Sequence, residues 1–267
     1  MSAWKTVAVW GAPRSGKTTF ACRMGMALAG TLRPDTLNPM SVVVVSPDLE
    51  TPALPLLFPH RDRDELPSMG DLLSRPDGKD RILETLVTAE KGGKEADGLA
   101  YLGYGPCDNP SRYPVPSPRA AAGLWEALTE QADVVIADLP DSVKDPFSAC
   151  ALKRAEVVFR LLTPDLHAAV WEASHRERYA RRDSDPPGAE RETDWEKQIP
   201  GEGNPDGMKN RPSEDFRKAV TAFRFAMPFR KEWQTAMAEG KLAFLPCGAR
   251  ERLFWQSLLK LGEERRG

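Results

Sequence analysis

The chain has 267 residues, of which 41% are hydrophobic, which is enough for one large α/β domain or two small ones with a buried core. Its 37 basic and 39 acidic residues leave a formal net charge of −2, so the chain as a whole lacks the basic character of a nucleic-acid binder. No apolar run reaches the roughly 18 residues of a transmembrane segment, no signal-peptide pattern opens the sequence, and the scattered cysteines suit a reduced compartment. We therefore expect a cytoplasmic protein.

Short apolar runs alternate with helical patterns along the chain. In chain order, strands are predicted at residues 4–10, 41–45, 98–104, 133–138, 156–163 and 241–246. Helices are predicted at residues 17–30, 80–90, 118–132 (with Ser117 as N-cap), 166–182 and 250–261. This alternation predicts an α/β fold, a doubly wound and mainly parallel sheet with helices on both faces.

The domain organisation follows from the same pattern. We expect a single domain that spans residues 1–267. A polar excursion at about 181–211 interrupts the alternation, because this stretch is rich in charged residues, proline and glycine. It is either ordered or mobile, and its composition favours the mobile state.

The first predicted strand leads into Gly11-Ala12-Pro13-Arg14-Ser15-Gly16-Lys17-Thr18, which fits the phosphate-binding P-loop pattern G-x-x-x-x-G-K-[ST]. Gly11 and Gly16 lack a Cβ, so backbone N–H groups can approach a polyphosphate closely, and the following helix N-terminus adds partial positive charge. Lys17 is expected to bind the β- and γ-phosphates, and the Thr18 hydroxyl to bind Mg²⁺. Together with Thr19, this loop is predicted to bind ATP or ADP.

Acidic residues follow three other predicted strands at the same edge of the sheet. Asp138 ends an apolar run as a Walker B acid does, so we expect it to hold Mg²⁺, directly or through water; the other interpretation is a turn cap. Asp48 either positions water against the γ-phosphate or has no such role. Asp165 either lines the pocket or starts the next helix, and the second is favoured. Lys17, Asp48 and Asp138 are the candidate catalytic residues.

These segments, in this order, resemble the ParA/MinD family of P-loop ATPases, particularly its TadZ/CpaE-like branch. Beyond the P-loop, the similar segments are the apolar strand at 42–49, S-x-x-D-L-L at 68–73, D-x-V-I-I-D-x-P at 133–140, T-P-D at 163–165 and a proline-containing tail at 225–242. The resemblance implies an ATP-dependent switch that forms a face-to-face homodimer. A membrane, DNA or a protein partner in a larger assembly then binds this dimer, so the chain is predicted to serve as a localisation or partitioning scaffold.

Two positions depart from the family pattern. The family has a second lysine at the second P-loop position, which reaches the partner's phosphates, and Ala12 occupies that position here. Ser46 replaces the first acid of the family's D-x-D motif. Arg14 either substitutes for the missing lysine or faces solvent, and the second interpretation is favoured. Loss of a cation supplied in trans lowers phosphoryl transfer by about 10³-fold or more, so we expect binding with weak or absent hydrolysis.

Other functions stay open. The arginine-rich stretch at 176–191 is the kind of lid that a P-loop kinase closes over a small phosphate acceptor, so a kinase is one alternative. A non-hydrolysing structural subunit with a vestigial nucleotide site is another. The basic run at 175–182 leaves DNA binding as a weaker hypothesis, since charged runs at helix ends are usually solvated.

The last predicted helix carries an apolar face that either binds a membrane surface or packs back on the sheet. Packing is favoured, because few basic residues flank this face. Its predicted members are Leu253, Phe254, Leu258 and Leu261.

Overall fold

The computed structural model describes residues 4–33, 36–59, 68–75, 78–91, 94–180 and 230–263. Its strands are β1 (Thr6–Gly11), β2 (Val42–Ser46), β3 (Val87–Lys91), β4 (Lys94–Gly103), β5 (Val134–Asp138) and β6 (Val157–Leu161). Its α-helices are α1 (Lys17–Ala29), α2 (Leu54–Leu57), α3 (Met69–Ser74), α4 (Ile82–Thr85), α5 (Pro118–Gln131), α6 (Pro146–Arg154), α7 (Leu166–Ala180), α8 (Lys231–Ala238) and α9 (Ala249–Glu263). The excursion predicted at 181–211 lies outside the described residues.

The strands form one sheet in the order β3-β4-β2-β5-β1-β6. Every neighbouring pair is parallel except β3 with β4. The carboxyl ends of the five parallel strands therefore meet at one edge, with β1 between β5 and β6. The predicted fold class, a mainly parallel α/β sheet covered by helices, is confirmed.

Both faces of the sheet are covered, because successive side chains of a strand point to opposite sides. On β1, Val7 and Val9 join one buried cluster, while Ala8 and Trp10 join the other. Helices α1, α8 and α9 contribute to the first cluster, and α3, α5, α6 and α7 to the second. The side chains of β2 are buried along its whole length, as its valine run predicts.

The predicted helix at 80–90 is wrong in its second half. A 3-10 turn at Gly78–Arg81 and the short α4 lead instead into β3, where Val87 pairs with Tyr101 of β4. Val87 is 2% exposed, whereas Leu83, four residues earlier in the predicted helix, is 66% exposed. Pairing with the open side of β4 gives a β-branched residue both backbone hydrogen bonds and burial, which a short surface helix does not provide.

The predicted strand at 241–246 is also wrong. Residues Leu242–Phe244 form a 3-10 turn, and the carbonyls of Leu245 and Pro246 accept hydrogen bonds from the guanidinium of Arg23. Pro246 has no N–H to donate to a neighbouring strand. The carbonyls of this segment are instead paired with the side chain of Arg23 in α1.

The final helix is confirmed, and it packs on the sheet as the sequence favours. Its buried face differs from the predicted one: Trp255 and Leu258 are buried, while Leu253 is 62% exposed. The side chain of Leu261 lies outside the described residues. Within the part of the chain that the structure describes, no helix is both long and apolar enough to cross a bilayer.

Candidate functional site

The P-loop lies between the end of β1 and the start of α1, at the carboxyl edge of the sheet. A Cβ added at Gly11 would lie 1.9 Å from the carbonyl oxygen of Leu161 in β6, so no side chain fits there. Gly16, the N-cap of α1, has a left-handed backbone with φ 84° and ψ 22°, which glycine adopts without steric cost. Both glycines of the pattern are thus required by geometry, one by close approach and one by conformation.

Lys17 bends back over the loop. Its Nζ donates to the carbonyl oxygens of Gly11 at 3.2 Å and of Ala12 at 2.9 Å. Burial lowers the pKa of Lys17, while the nearby carboxylates of Asp138, Asp141 and Asp48 partly offset that effect. The ammonium therefore lies at the mouth of the loop, where charged phosphate oxygens are stronger acceptors than the two carbonyls.

The middle of the loop is divided between core and solvent. Ala12 is 1% exposed, packs in the same apolar cluster as Trp10, and donates its N–H to the Leu161 carbonyl at 3.0 Å. Arg14 has a left-handed backbone with φ 59°, and its side chain is exposed. Pro13 is exposed beside it. The loop therefore directs its arginine to solvent and its second position into the protein.

Asp138 ends β5 beside Thr18 and Ser46. The Thr18 hydroxyl is hydrogen-bonded to its carboxylate, and the Ser46 hydroxyl donates to Oδ2 at 3.5 Å. Burial raises the pKa of Asp138 to about 6, although the Thr18 hydrogen bond and the charge of Lys17 act in the opposite direction. A buried carboxylate next to a threonine hydroxyl and an ammonium provides the hard oxygen ligands that Mg²⁺ prefers.

Asp48 lies close enough to Asp138 and Lys17 to interact electrostatically with both. Its carboxylate also holds its own loop: Oδ1 accepts from the N–H groups of Glu50 at 3.0 Å and Thr51 at 2.9 Å, and Oδ2 accepts from the Thr51 hydroxyl at 2.6 Å. The structure thus places Asp48 at the edge of the site with both oxygens bonded locally.

The residues present fit a magnesium nucleotide. Ser15 Oγ is buried and has no hydrogen-bond partner among the described residues, as expected of a donor that a phosphate oxygen would satisfy. In the described ranges, no group of three or more His, Cys, Asp or Glu side chains forms a metal site by itself. Mg²⁺ is commonly held by one or two protein ligands together with phosphates and water, which is what Thr18 and Asp138 offer.

Asp165 lies directly before α7, which begins at Leu166. Its Oδ1 accepts the N–H of Ala168 at 2.9 Å, and hydrogen bonds from Thr163 and from this amide lower its pKa. The favoured interpretation of Asp165 as a helix-starting acid is confirmed.

Sequence reasoning missed an arrangement on the other side of the P-loop. The indole N–H groups of Trp10 and Trp171 both donate to the carbonyl oxygen of Asp141, at 3.2 and 3.3 Å. A tryptophan directly before a P-loop was the available signal, but its partner in α7 is about 160 residues away in sequence, a separation that local patterns do not bridge.

Three solved structures share this architecture over nearly their full lengths. A ParA family ATPase from Chlorobium tepidum TLS superposes with a TM-score of 0.64 at 14% identity, covering 98% of this chain and 99% of that one. This chain has the ParA/MinD ATPase fold. The septum site-determining protein MinD from Pyrococcus horikoshii OT3, complexed with Mg-ADP, gives 0.58 at 15% identity and covers 97% and 95%. Apo McdA from Cyanthece gives 0.57 at 14%, covering 98% and 100%.

The sequence has little similarity to the proteins that share this fold, at 14–15% identity. No family model matches the chain, and no curated protein matches it. The shared property is therefore the fold, while the site of this chain has to be interpreted from its own residues.

Proposed function

We propose that this chain is an ATP-binding switch of the ParA/MinD type, in its TadZ/CpaE-like branch, with weak or slow ATP hydrolysis. The single observation that carries the proposal is the arrangement around Lys17. Its ammonium, the Thr18 hydroxyl and the buried Asp138 carboxylate converge at the carboxyl edge of β1 and β5. A cation for phosphate next to two oxygen ligands for Mg²⁺ is the minimal equipment of a nucleotide site.

Mg²⁺ would be held by Thr18 and Asp138. When bound, it neutralises charge on the β- and γ-phosphate oxygens. The protein's own contribution is to orient the phosphates: backbone N–H groups of the loop and the Ser15 hydroxyl donate to them, and Lys17 exchanges its carbonyl acceptors for phosphate oxygens. Asp48 is the candidate for positioning water.

Weak hydrolysis is supported by the P-loop itself. Ala12 takes the position where a second lysine would lie, and its side chain is buried. Arg14 is the remaining flexible cation of the loop, and it starts from a left-handed backbone that directs it to solvent. A site with one lysine has less charge to stabilise the transition state than a site with two.

The switch is proposed to act as a nucleotide-dependent homodimer that binds a protein partner in a larger assembly. The exposed Arg14 lies on the surface that surrounds the phosphate site, where a second copy would meet it. DNA binding stays a weaker proposal, since the side chains at 176–182 lie outside the described part of the chain.

The experiment is nucleotide binding combined with light scattering. The full chain is titrated with ADP, ATP and a non-hydrolysable ATP analogue, with Lys17→Ala as the test variant and Lys153→Ala, an exposed lysine of α6, as the matched control. We expect nucleotide affinity to be lost in Lys17→Ala and retained in Lys153→Ala, and ATP or the analogue to raise the molar mass. Equal ATP affinity in wild type and Lys17→Ala would refute the site.

A non-hydrolysing subunit with a vestigial nucleotide site is the second candidate, and the buried Ala12 favours it. The same titration separates the two. A switch changes molar mass between ADP and ATP, whereas a vestigial site shows the same mass with either nucleotide.

A further inference from the structure

We propose that Ser46 is a positioning residue for the Mg²⁺ site, because its hydroxyl holds the Asp138 carboxylate in the orientation in which it binds the metal. This inference rests on the proposed function, since it concerns the Mg²⁺ that accompanies the nucleotide. Ser46 is the last residue of β2, and Asp138 is the last residue of the neighbouring strand β5.

The register of the sheet places these two residues side by side. The parallel ladder between the two strands pairs Val45 of β2 with Ala137 of β5. The next residue of each strand is Ser46 in β2 and Asp138 in β5. Neighbouring strands lie about 4.8 Å apart, so a hydroxyl and a carboxylate at matched positions come within reach of each other.

Both side chains point to the face of the sheet that α1 covers. Two residues earlier on their strands, Val44 and Ile136 pack in the buried cluster to which α1 contributes. Side chains two residues apart in a strand share a face, so Ser46 and Asp138 lie on this side as well. Thr18, in the first turn of α1, contacts Asp138 from this side. The carboxylate is therefore contacted by one hydroxyl from the helix and one from the neighbouring strand.

The backbone of Asp138 is fixed by the sheet, which leaves rotation of its side chain as the remaining freedom. Asp138 is paired with Val9 of β1, and the N–H of Leu139 donates to the Val9 carbonyl at 2.9 Å. The side chain is restrained by the Thr18 hydroxyl and by the Ser46 hydroxyl, which donates to Oδ2 at 3.5 Å. Removing Ser46 Oγ would release one of these two restraints.

The Ser46 hydroxyl has no competing contact among the residues that the structure describes, where Asp138 is its hydrogen-bond acceptor. Ser46 is 6% exposed and Asp138 is 4% exposed, so water has little access to either side chain. On the other side of β2, Ser46 is paired with Gly103 of β4, which has no side chain to offer. Because a buried hydroxyl needs a partner, this geometry commits Ser46 to Asp138.

The chemistry of the hydroxyl suits this role. Thr18 is itself a proposed metal ligand, and both oxygens of Asp48 accept hydrogen bonds from its own loop. Ser46 is the neutral group beside Asp138, and it can donate a hydrogen bond to the carboxylate. An ionised acid at this position has no proton to donate and would add a second negative charge. Metal-binding carboxylates are commonly held by hydrogen bonds of this kind.

The test measures ADP affinity of the full chain by calorimetry over a series of Mg²⁺ concentrations, in wild type and in Ser46→Ala. We expect the Mg²⁺ concentration that gives half of the gain in ADP affinity to rise about 10-fold in Ser46→Ala. This is the lower end of the effect of losing such a partner, chosen because 3.5 Å is a long hydrogen bond. ADP affinity without Mg²⁺ should equal that of wild type. Ser257→Ala, at an exposed position of α9, is the matched control and should change neither quantity.

Ser46→Thr separates the role of the hydroxyl from that of packing at the end of β2. It keeps an O–H on Cβ, so we expect its Mg²⁺ dependence to stay close to that of wild type. A loss in Ser46→Thr equal to the loss in Ser46→Ala would rule out the hydroxyl as the group that acts.

Three further results would overturn the assignment. The first is an unchanged Mg²⁺ dependence in Ser46→Ala, and the second is a loss of ADP affinity that is the same with and without Mg²⁺. The third is a wild-type chain whose ADP affinity does not respond to Mg²⁺ at all. None of these refutes the nucleotide site itself, which fails only if wild type and Lys17→Ala bind nucleotide equally.

Discussion

Arg23 of α1 and Glu251 of α9 form a two-point ion pair inside the protein. Nε lies 2.7 Å from Oε1 and Nη2 lies 2.8 Å from Oε2, with side-chain exposures of 0% and 3%. Nη1 also donates to the Leu245 carbonyl and the Met26 sulfur, and Nη2 to the Pro246 carbonyl and the Cys247 sulfur. The helix that begins at the P-loop is thereby joined to the last helix of the described chain.

Removing one partner of this pair should be strongly destabilising. Glu251→Gln leaves the Arg23 charge buried without compensation, which costs about 3–5 kcal/mol of unfolding free energy. Urea denaturation measures the loss. The control is Glu239→Gln, which breaks the exposed pair with Lys241 and should cost less than about 1 kcal/mol. Equal losses in the two variants would contradict the central role of the buried pair.

The same pair predicts how stability changes with acid. Burial by itself would raise the pKa of Glu251, but the hydrogen bonds and charge of Arg23 outweigh it, so the pKa is lowered. A lowered native pKa adds stability that is complete above the unfolded pKa of about 4.5 and is lost as pH falls through the native value. The stability difference between wild type and Glu251→Gln, from denaturation at several pH values, should therefore shrink below pH 4.5. A difference that stays constant would exclude this linkage.

For Asp138 we predict the opposite dependence of stability on pH. Its pKa is raised by burial to about 6 from 3.8, so ionisation in the native state costs stability as pH rises through this window. At pH 7.5 the ligand-free Asp138→Asn variant should be more stable by about 3 kcal/mol and should lose the enhancement of nucleotide affinity by Mg²⁺. Thermal melting and ADP titrations with and without Mg²⁺ measure the two effects.

Asp165→Asn is the control for this prediction. The pKa of Asp165 is lowered by its hydrogen bonds, so neutralising it should lower stability slightly or leave it unchanged. A lower melting temperature for Asp138→Asn would show that its ionised form is not costly.

The two P-loop glycines should respond differently to the same methyl group. Gly11→Ala places a Cβ against the Leu161 backbone, which must move, so we expect a large loss of stability and of nucleotide binding. In Gly16→Ala the new Cβ has no neighbour within 4 Å. The variant loses only the free energy that a left-handed backbone costs a non-glycine residue, about 1–2 kcal/mol. Melting temperatures rank the two variants, and a larger loss at Gly16 would refute this account.

Introducing a lysine at position 12 should not increase ATP hydrolysis. Ala12→Lys places an ammonium in an apolar cluster, so we expect lower stability, by about 1–3 kcal/mol from overpacking alone, and no gain in ATP turnover. Arg14→Lys is the control, because Arg14 is exposed and the exchange should be neutral for stability. Faster turnover in a stable Ala12→Lys variant would show that the loop can turn this side chain outward.

The sequence predicted the fold well where a pattern had one structural solution. The run Val42–Val45 is β-branched throughout and becomes a strand buried on both faces, and Ser117 caps α5 through the Ala120 N–H at 3.1 Å. Residues 80–90 failed because their apolar spacing suits a helix and a strand equally. Pairing with β4 favours the strand, and a short window of sequence contains no information about that pairing.

The sequence predicted those residues of the candidate site that belong to a recognisable motif. Gly11, Lys17, Thr18 and Asp138 belong to patterns with fixed spacing, and the structure brings them together. Asp141 belongs to no such pattern, and its position depends on Trp171 in a distant helix. The burial of Ala12 likewise could not be predicted from the sequence, since an alanine in a loop has no preference for core or solvent.

The contact between Ala12 and Leu161 has a consequence for the order of folding. One carbonyl at the end of β6 receives the Ala12 N–H and excludes any side chain from position 11, so β6 acts as one wall of the P-loop. The two residues are separated by about 150 positions, and contacts of such separation form late because their loop-closure entropy is large. During synthesis the loop would therefore lack this wall until residue 161 has emerged, after all six strands of the sheet.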